Sequence, residues 1–294
     1  MVEIRRILCP IDFSPFSVEA YACAQSLASH YGATLHVQHL VELWNDGSKT
    51  APPMNLFDEY RRASIQEGEE RLERFVEAHP YDGVRPEPYV QEGVPADRIL
   101  ALAEELAVDL VVMGTHGRRG LNRLMLGSVT ERVLRNAPCL VLVAGNASGD
   151  SAPPGKAGDA VPFRRILCCT DFSDTSEKAV AQALSLAEAY GAEMTLVHVL
   201  DESPDAAGIQ VRIAGATQQL EQLVSSVSRK KGTVSIAVRV GRPYAQIIQA
   251  ATDINADLTV MGVRGRNALD VAVFGSTTYR VIQLGSCPVL VVPS

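Results

Sequence analysis

The sequence predicts an α/β fold of two tandem doubly wound, Rossmann-like domains, each built on a five-stranded parallel sheet. Three observations carry this. The chain has 294 residues, too many for one ordinary core and enough for two. Two landmarks recur: Arg6-Ile7-Leu8-Cys9-Pro10-Ile11-Asp12-Phe13-Ser14 returns as Arg165-Ile166-Leu167-Cys168-Cys169-Thr170-Asp171-Phe172-Ser173, and Asp109 to Gly114 returns as Asp257 to Gly262. Self-similarity at this spacing marks repeated structural units. In both halves, short Val/Ile/Leu runs alternate with segments of helical period, the pattern of βαβ units around a sheet buried on both faces.

Taken in order, each repeat reads as five strands and four helices with right-handed crossovers. Ser14-Pro15 supplies a cap and a proline for the first helix, and Ser173 caps its counterpart. Ala20, Ala24, Leu27, Ala28 and Tyr31 form an apolar stripe that recurs at Ala179, Ala183, Leu186, Ala187 and Tyr190. Gly32 and Gly191 end these helices. The spacing between the two landmarks is eleven residues longer in the first repeat. That surplus is assigned to Trp44 to Arg61, whose Pro52-Pro53 and Asn/Asp/Gly content reads as loop. Ile99, Leu102, Ala103 and Leu106 stripe the helix before the strand at Asp109 to Met113. A Gly/Pro/Ser/Ala-rich stretch around Pro153-Pro154-Gly155 reads as linker, giving domains at 1–145 and 163–294 joined by 146–162.

Composition narrows the function. Hydrophobic residues at 47% and charged residues at 21% fit a soluble globular protein and leave little room for disorder. A formal net charge of −7, with no Lys/Arg run interleaved with aromatics, argues against nucleic acid. The start of the chain lacks the apolar stretch of a signal peptide or membrane span, so the expected location is the cytoplasm. The cysteines, Cys9, Cys23, Cys139, Cys168, Cys169 and Cys287, fall largely in strand-like runs and read as reduced core thiols; no spacing suggests a structural metal or a disulfide framework.

The chemistry is concentrated in one loop. Val112-Met113-Gly114-Thr115-His116-Gly117 is followed after nine residues by Gly127-Ser128-Val129-Thr130, and Val260-Met261-Gly262-Val263-Arg264-Gly265 by Gly275-Ser276-Thr277-Thr278 at the same spacing. The pattern is G-x2-G-x9-G-S, twice. It starts where a strand ends, and ligands collect beyond the carboxyl ends of parallel strands. Gly114 and Gly117 lack a Cβ, allowing a sharp turn and close approach of a ligand. The Gly-Ser segment opens a helix whose free N–H groups and positive dipole end suit phosphate. A Gly-Ser before a helix is usually only a cap; the repetition at identical spacing argues for more. The first strand, by contrast, has no glycine-rich turn after Pro10-Ile11-Asp12 or Cys169-Thr170-Asp171, so neither a G-x-G-x-x-G fingerprint nor a Walker loop is present there. Asp12 and Asp171 have two roles open to them: accepting hydrogen bonds from a ribose or an adenine amino group, or capping the next helix.

These residues resemble the universal stress protein family in its tandem form. The resemblance rests on the Asp-Phe-Ser turn, on His39-Leu40 and His198-Val199, on Gly93-Val94-Pro95 and Gly241-Arg242-Pro243, and on the two glycine loops. It implies ATP binding, or binding of ADP or AMP, in a stress-response protein. By the same resemblance Asp12 and Asp171 contact the adenosine, and main-chain groups at Leu40 and Val199 flank the adenine. Gly114, Gly117, Gly127, Ser128 and Val129 hold ribose and phosphates, as do Gly262, Gly265, Gly275, Ser276 and Thr277 in the second repeat. Pro10, Met113 and Thr130 complete the candidate set, and Mg2+ accompanies the phosphates, held by them and by water. The two halves are expected to form a pseudo-dimer, with a homodimer as a further state.

The repeats also differ. Val263-Arg264 replaces Thr115-His116, and Asp270 stands where the first repeat has Asn122, beside Arg123. A carboxylate near a triphosphate repels it unless it faces solvent, which favours the first site. No residue set points to efficient catalysis: His116 has no counterpart, and Arg118 and Arg119 read as residues that steady phosphates, with solvated loop charges as the near alternative. The leading expectation is a nucleotide-dependent sensor or switch. The alternatives are a slow ATP hydrolase or phosphoryl-transfer enzyme, and a nucleotide-free interaction module.

Overall fold

A computed structural model of the chain describes residues 3–41, 54–117, 126–145, 163–202, 206–227, 234–264 and 275–293. In the first repeat β1 (Arg6–Ile11), α1 (Pro15–Tyr31), β2 (Thr34–Val41), α2 (Met54–Ala78), β3 (Glu87–Glu92), α3 (Pro95–Glu105), β4 (Leu110–Met113), α4 (Ser128–Asn136) and β5 (Leu140–Val143) follow one another. The second repeats the plan with β6 (Arg165–Cys169), α5 (Asp174–Tyr190), β7 (Glu193–Leu200), α6 (Ala206–Val227), β8 (Val234–Val240), α7 (Pro243–Asp253), β9 (Leu258–Gly262), α8 (Ser276–Leu284) and β10 (Val289–Val292).

Ser14 and Ser173 cap α1 and α5 by accepting the amides of Ser17 and Ser176, and Gly32 and Gly191 close the same helices at φ 63°, where a side chain would be strained. The landmark aspartates have a structural purpose. Asp109 accepts the amides of Arg5 and Arg6, and Asp257 those of Arg164 and Arg165, so each lashes the start of a repeat's first strand to its fourth.

The segment from Met54 to Arg61 departs from the loop reading: it is the opening of α2. Glu59 and Arg61, with Arg62 and Ala63 that follow, are good helix formers, and their propensity outweighs the Asn and Asp beside them. Arg61 also pairs with Glu92 on β3 at 2.5 Å. Trp44 to Pro53 and the stretch 146–162 lie outside the described residues.

Each repeat is parallel within itself, but the two sheets are not separate. The order is β3-β2-β1-β4-β5-β10-β9-β6-β7-β8, one ten-stranded sheet with a single antiparallel step in which Val143, Leu142 and Val141 face Val289, Leu290 and Val291. The strands of the two repeats therefore run in opposite directions, and their carboxyl ends face opposite edges. Alternation along the strands feeds two cores, one per face. Ile7, Cys9 and Ile11 join the layer under α1, α2, α5 and α6, whereas Leu8 joins that under α3, α4, α7 and α8; both layers draw on both repeats. Burial of each such aliphatic side chain is worth about 1.5–3 kcal/mol.

Two further contacts close the seam. The hydroxyls of Tyr31 and Tyr190, at the ends of α1 and α5, lie 2.5 Å apart. Gly145, just past β5, meets the backbone before β10 so closely that a Cβ there would sit 2.8 Å from the Ser286 carbonyl oxygen.

Candidate functional site

The strand order makes the site. From β1 the chain moves outward to β2 and β3, then returns to lay β4 on the other side of β1, so β1 and β4 diverge at a topological switch point; β6 and β9 do the same. A crevice opens beyond the carboxyl ends of such a pair. Pro10 and Asp12 end β1, Met113 and Gly114 end β4, and Leu40 lies near the end of the adjoining β2.

The turn after β1 is strained in both repeats. Phe13 and Phe172 hold φ of 63° and 60°, values rare for a bulky residue. Each is fixed by a histidine. His39 Nδ1 lies 2.8 Å from the Ile11 carbonyl oxygen, with its ring 4.5 Å from that of Phe13, and His198 repeats both contacts with Thr170 and Phe172. The Arg71 guanidinium lies over the Phe13 ring at 4.3 Å. The recurring Asp-Phe-Ser and His were the only sequence signals of this brace.

Both roles left open for the aspartates are constrained by geometry. Neither caps the helix; the serines do that. Asp12 Oδ1 accepts the Ser14 amide at 3.0 Å, and Asp171 Oδ1 accepts the Ser173 amide and hydroxyl. The other oxygen of Asp12, Oδ2, lies 2.6 Å from where a Cβ on Gly117 would stand. Asp12 and the glycine loop are thus in contact across the mouth of the crevice.

Gly114 and Gly262 are glycines for a reason that differs from the sequence reading. Neither has positive φ, and the space for a side chain is taken by protein: a Cβ on Gly114 would lie 2.8 Å from Phe16 Cβ and 2.9 Å from its carbonyl oxygen, and one on Gly262 3.0 Å from Thr175 Cγ2. These glycines let the strand end press against the opening turn of α1 or α5. At Gly127 the crowding atom is the Thr115 carbonyl oxygen, and at Gly275 that of Val263.

The loop is then pinned to the helix that follows. The Gly127 amide donates to the Thr115 carbonyl, and the Thr130 hydroxyl to the Gly114 carbonyl; Gly275 and Thr278 do likewise to Val263 and Gly262. The Thr130 hydroxyl proton is thereby committed to the loop. Thr278 makes the same brace, a role its alignment with Thr130 could have revealed.

What the pinning leaves exposed is the start of the helix. Gly127 and Gly275 are the N-caps of α4 and α8, and with no side chain they accept nothing from the first-turn amides. At α1 and α5 a serine oxygen fills that place, and at α3 and α7 a proline at the helix start removes a donor. Only α4 and α8 among these six combine a bare cap with a full set of donors at the switch point. Ser128 and Ser276 are exposed, and Val129 is half-buried against the core. Gly265, Arg118, Arg119, Arg123 and Asp270 lie outside the described residues.

His116 is buried beside this helix start, with Nδ1 3.0 Å from the Thr115 hydroxyl and its ring 5.2 Å from that of Phe16; its Nε2 has no hydrogen-bond partner among the described residues. Burial pushes the thiols of Cys9, Cys23, Cys168 and Cys169 well above the ordinary thiol range, so they stay protonated. All six cysteines are free. A cleft of about 460 Å³ opens elsewhere, at the seam, lined in part by Glu3, Asp109, Cys139, Lys178 and Gln182. Its two carboxylates make it a poor anion site, and it lies at the amino ends of β4 and β5, away from the first crevice.

Fold and crevice together define a class: a doubly wound α/β protein whose switch point, closed by a Gly-capped helix, occurs twice in one chain. The family model described as the universal stress protein family matches residues 3–145 and 162–293, and the chain belongs to that family. It is 36% identical over 139 residues to a universal stress protein of Methanocaldococcus jannaschii, covering 47% of this chain and 81% of the relative. Against a universal stress protein of Mycobacterium tuberculosis it is 30% identical over 225 residues, covering 68% of this chain and 72% of the relative. The crystal structure of a universal stress protein from Archaeoglobus fulgidus matches 98% of this chain and 96% of its own with a TM-score of 0.65; at 22% identity it speaks to the fold. Among the described residues no helix is long and apolar enough to cross a membrane.

Proposed function

We propose that this protein binds ATP, or ADP or AMP in its place, in both repeats and acts as a nucleotide-dependent sensor or switch in the stress response, in the cytoplasm. The observation that carries this reading is the pair of bare helix starts, Gly127 to Thr130 and Gly275 to Thr278, each at a switch point whose first strand is followed by an aspartate. Main-chain amides at Ser128, Val129 and Thr130, and at Ser276 and Thr277, take the phosphates. Asp12 and Asp171 take the ribose or the adenine amino group, with Pro10, Leu40, Met113 and Val199 lining the base. Mg2+ enters with the phosphates, held by them and by water. Residues 1–145 and 163–294 act as the two binding domains, joined by 146–162, and work as an intramolecular pseudo-dimer supported by the β5–β10 pairing.

The test is a thermal melt of the full chain with MgATP. At about a hundredfold excess over Kd, a ligand specific to the folded state stabilises by about 2.7 kcal/mol. Ser128→Asp with Ser276→Asp places a carboxylate at each helix start, where the dipole favours it; the ligand-free melt is expected to hold while the response to MgATP disappears. A response unchanged in that double variant overturns the helix starts as the site, and none in the parent protein overturns the proposal and leaves the nucleotide-free interaction module. Release of ADP in the same samples would instead select the slow hydrolase.

A further inference from the structure

Among the described residues, one side-chain hydrogen bond crosses the seam at the candidate site. The Leu126 amide donates to the Tyr279 hydroxyl at 3.2 Å, across 153 residues of sequence. Leu126 is buried and directly precedes Gly127, the cap of α4. Tyr279 lies in the first turn of α8, and its own amide donates to the carbonyl of Gly275, the cap of α8, at 2.9 Å. Two hydrogen bonds therefore run from the cap of the second helix, through one tyrosine, to the residue before the cap of the first. Leu126 and Tyr279 pack in the same core layer, which leaves little slack between them.

The arrangement is one-sided. The position of the first repeat that matches Tyr279 is Glu131, whose carboxylate pairs with Arg135 on its own helix at 2.6 Å. A glutamate so engaged has neither the reach nor the hydroxyl of a tyrosine.

We propose that Tyr279 couples the two nucleotide sites, so that filling the helix start of α8 changes the affinity of the helix start of α4. The proposal rests on the nucleotide-binding reading above and adds to it a regulatory link. An anion on the first-turn amides of α8 acts on the turn that carries Tyr279; movement of that hydroxyl shifts Leu126 and with it the amides at Ser128 and Val129. Tyr279 is a positioning residue, since it acts on the first site through Leu126. The coupling is reciprocal, as linkage requires.

The experiment is a double-mutant cycle read by calorimetric titration of the full chain with MgATP. The parent protein is expected to bind two nucleotides per chain. Ser276→Asp closes the second site and is expected to change the affinity of the first by about fivefold or more. In a Tyr279→Phe background the same closure is expected to leave the first affinity unchanged, while hydrogen exchange shows loss of protection at the Leu126 amide. An equal change in both backgrounds, no change in either, or a parent stoichiometry of one nucleotide overturns the coupling while leaving nucleotide binding in place. No binding by the parent protein overturns the nucleotide reading, and the coupling with it.

Discussion

The two glycine loops share one frame and are packed by different neighbours. In both, a threonine hydroxyl bonds the strand-end glycine and the cap glycine bonds back to the loop. Around that frame the first repeat places Phe16, Thr115 and His116, and the second Thr175, Val263 and Arg264. The second also opens its leading helix with Asp174 and Glu177, where α1 has no acidic residue in its first turn. Hydrogen bonds between main chain and threonine define the shape of each loop and helix start; the side chains packed around them and the charges nearby differ between the copies. The two copies have thus kept geometry and diverged in electrostatics.

The sharpest way to break this comparison is at the strand-end glycines. A methyl group on Gly114 meets the main chain of Phe16 at 2.9 Å, whereas on Gly262 its nearest neighbour is the Thr175 methyl at 3.0 Å. Gly114→Ala is expected to cost about 3 kcal/mol and Gly262→Ala about 1 kcal/mol, within the range for overpacked sites. Urea unfolding followed by circular dichroism reads both, and equal costs would mean that the two frames are held alike.

A smaller effect is expected at the tyrosine pair. Burial raises the pKa of both hydroxyls, so both stay neutral, but Tyr190 is the more deeply buried. Tyr31→Phe strands the Tyr190 hydroxyl and is expected to cost about 1–2 kcal/mol. Tyr190→Phe leaves the Tyr31 hydroxyl nearer water and should cost less. The double variant should be milder than the sum, since it strands neither group. Additive costs in thermal melts would show that the two hydroxyls do not serve each other.

The smallest effect concerns pH and belongs to one repeat. Burial lowers the pKa of His36 on β2 below its ordinary 6.5, and Arg6 adds to this against the opposing pull of Glu87; the matching residue on β7 is Thr195. A group easier to protonate unfolded than folded contributes stability that is fully present above about pH 6.5 and lost as pH falls towards the folded pKa. His36→Thr should flatten this part of the decline between pH 7.5 and 5.5, measured as the shift in urea midpoint. Parallel slopes for the two proteins would exclude His36 as a contributor.

The fold was largely legible because its signals are local. Apolar stripes, serine caps and the glycines at 32 and 191 act within a few residues, so composition and spacing reveal them. The seam was not legible in the same way. Leu140–Val143 and Val289–Val292 are apolar throughout, and such a strand reads the same whether its neighbour is parallel, antiparallel or absent. The helical start of α2 was hidden by Asn and Asp, residues that suit turns. At the candidate site the repeated glycines drew attention to the right loop, but the reason for Gly114 is the backbone of Phe16, brought to it by tertiary packing. Left-handed phenylalanines and a tyrosine bonded across 153 residues carry no periodic trace at all.

The antiparallel step between β5 and β10 has one more consequence. In an assembly of two separate chains, every substitution would be made twice, and dilution would pull the halves apart. Here closure of the interface is unimolecular, its strength independent of protein concentration, and each half is free to drift alone. A tyrosine in one half where the matching position of the other holds a glutamate is a difference that two copies of one chain could not keep.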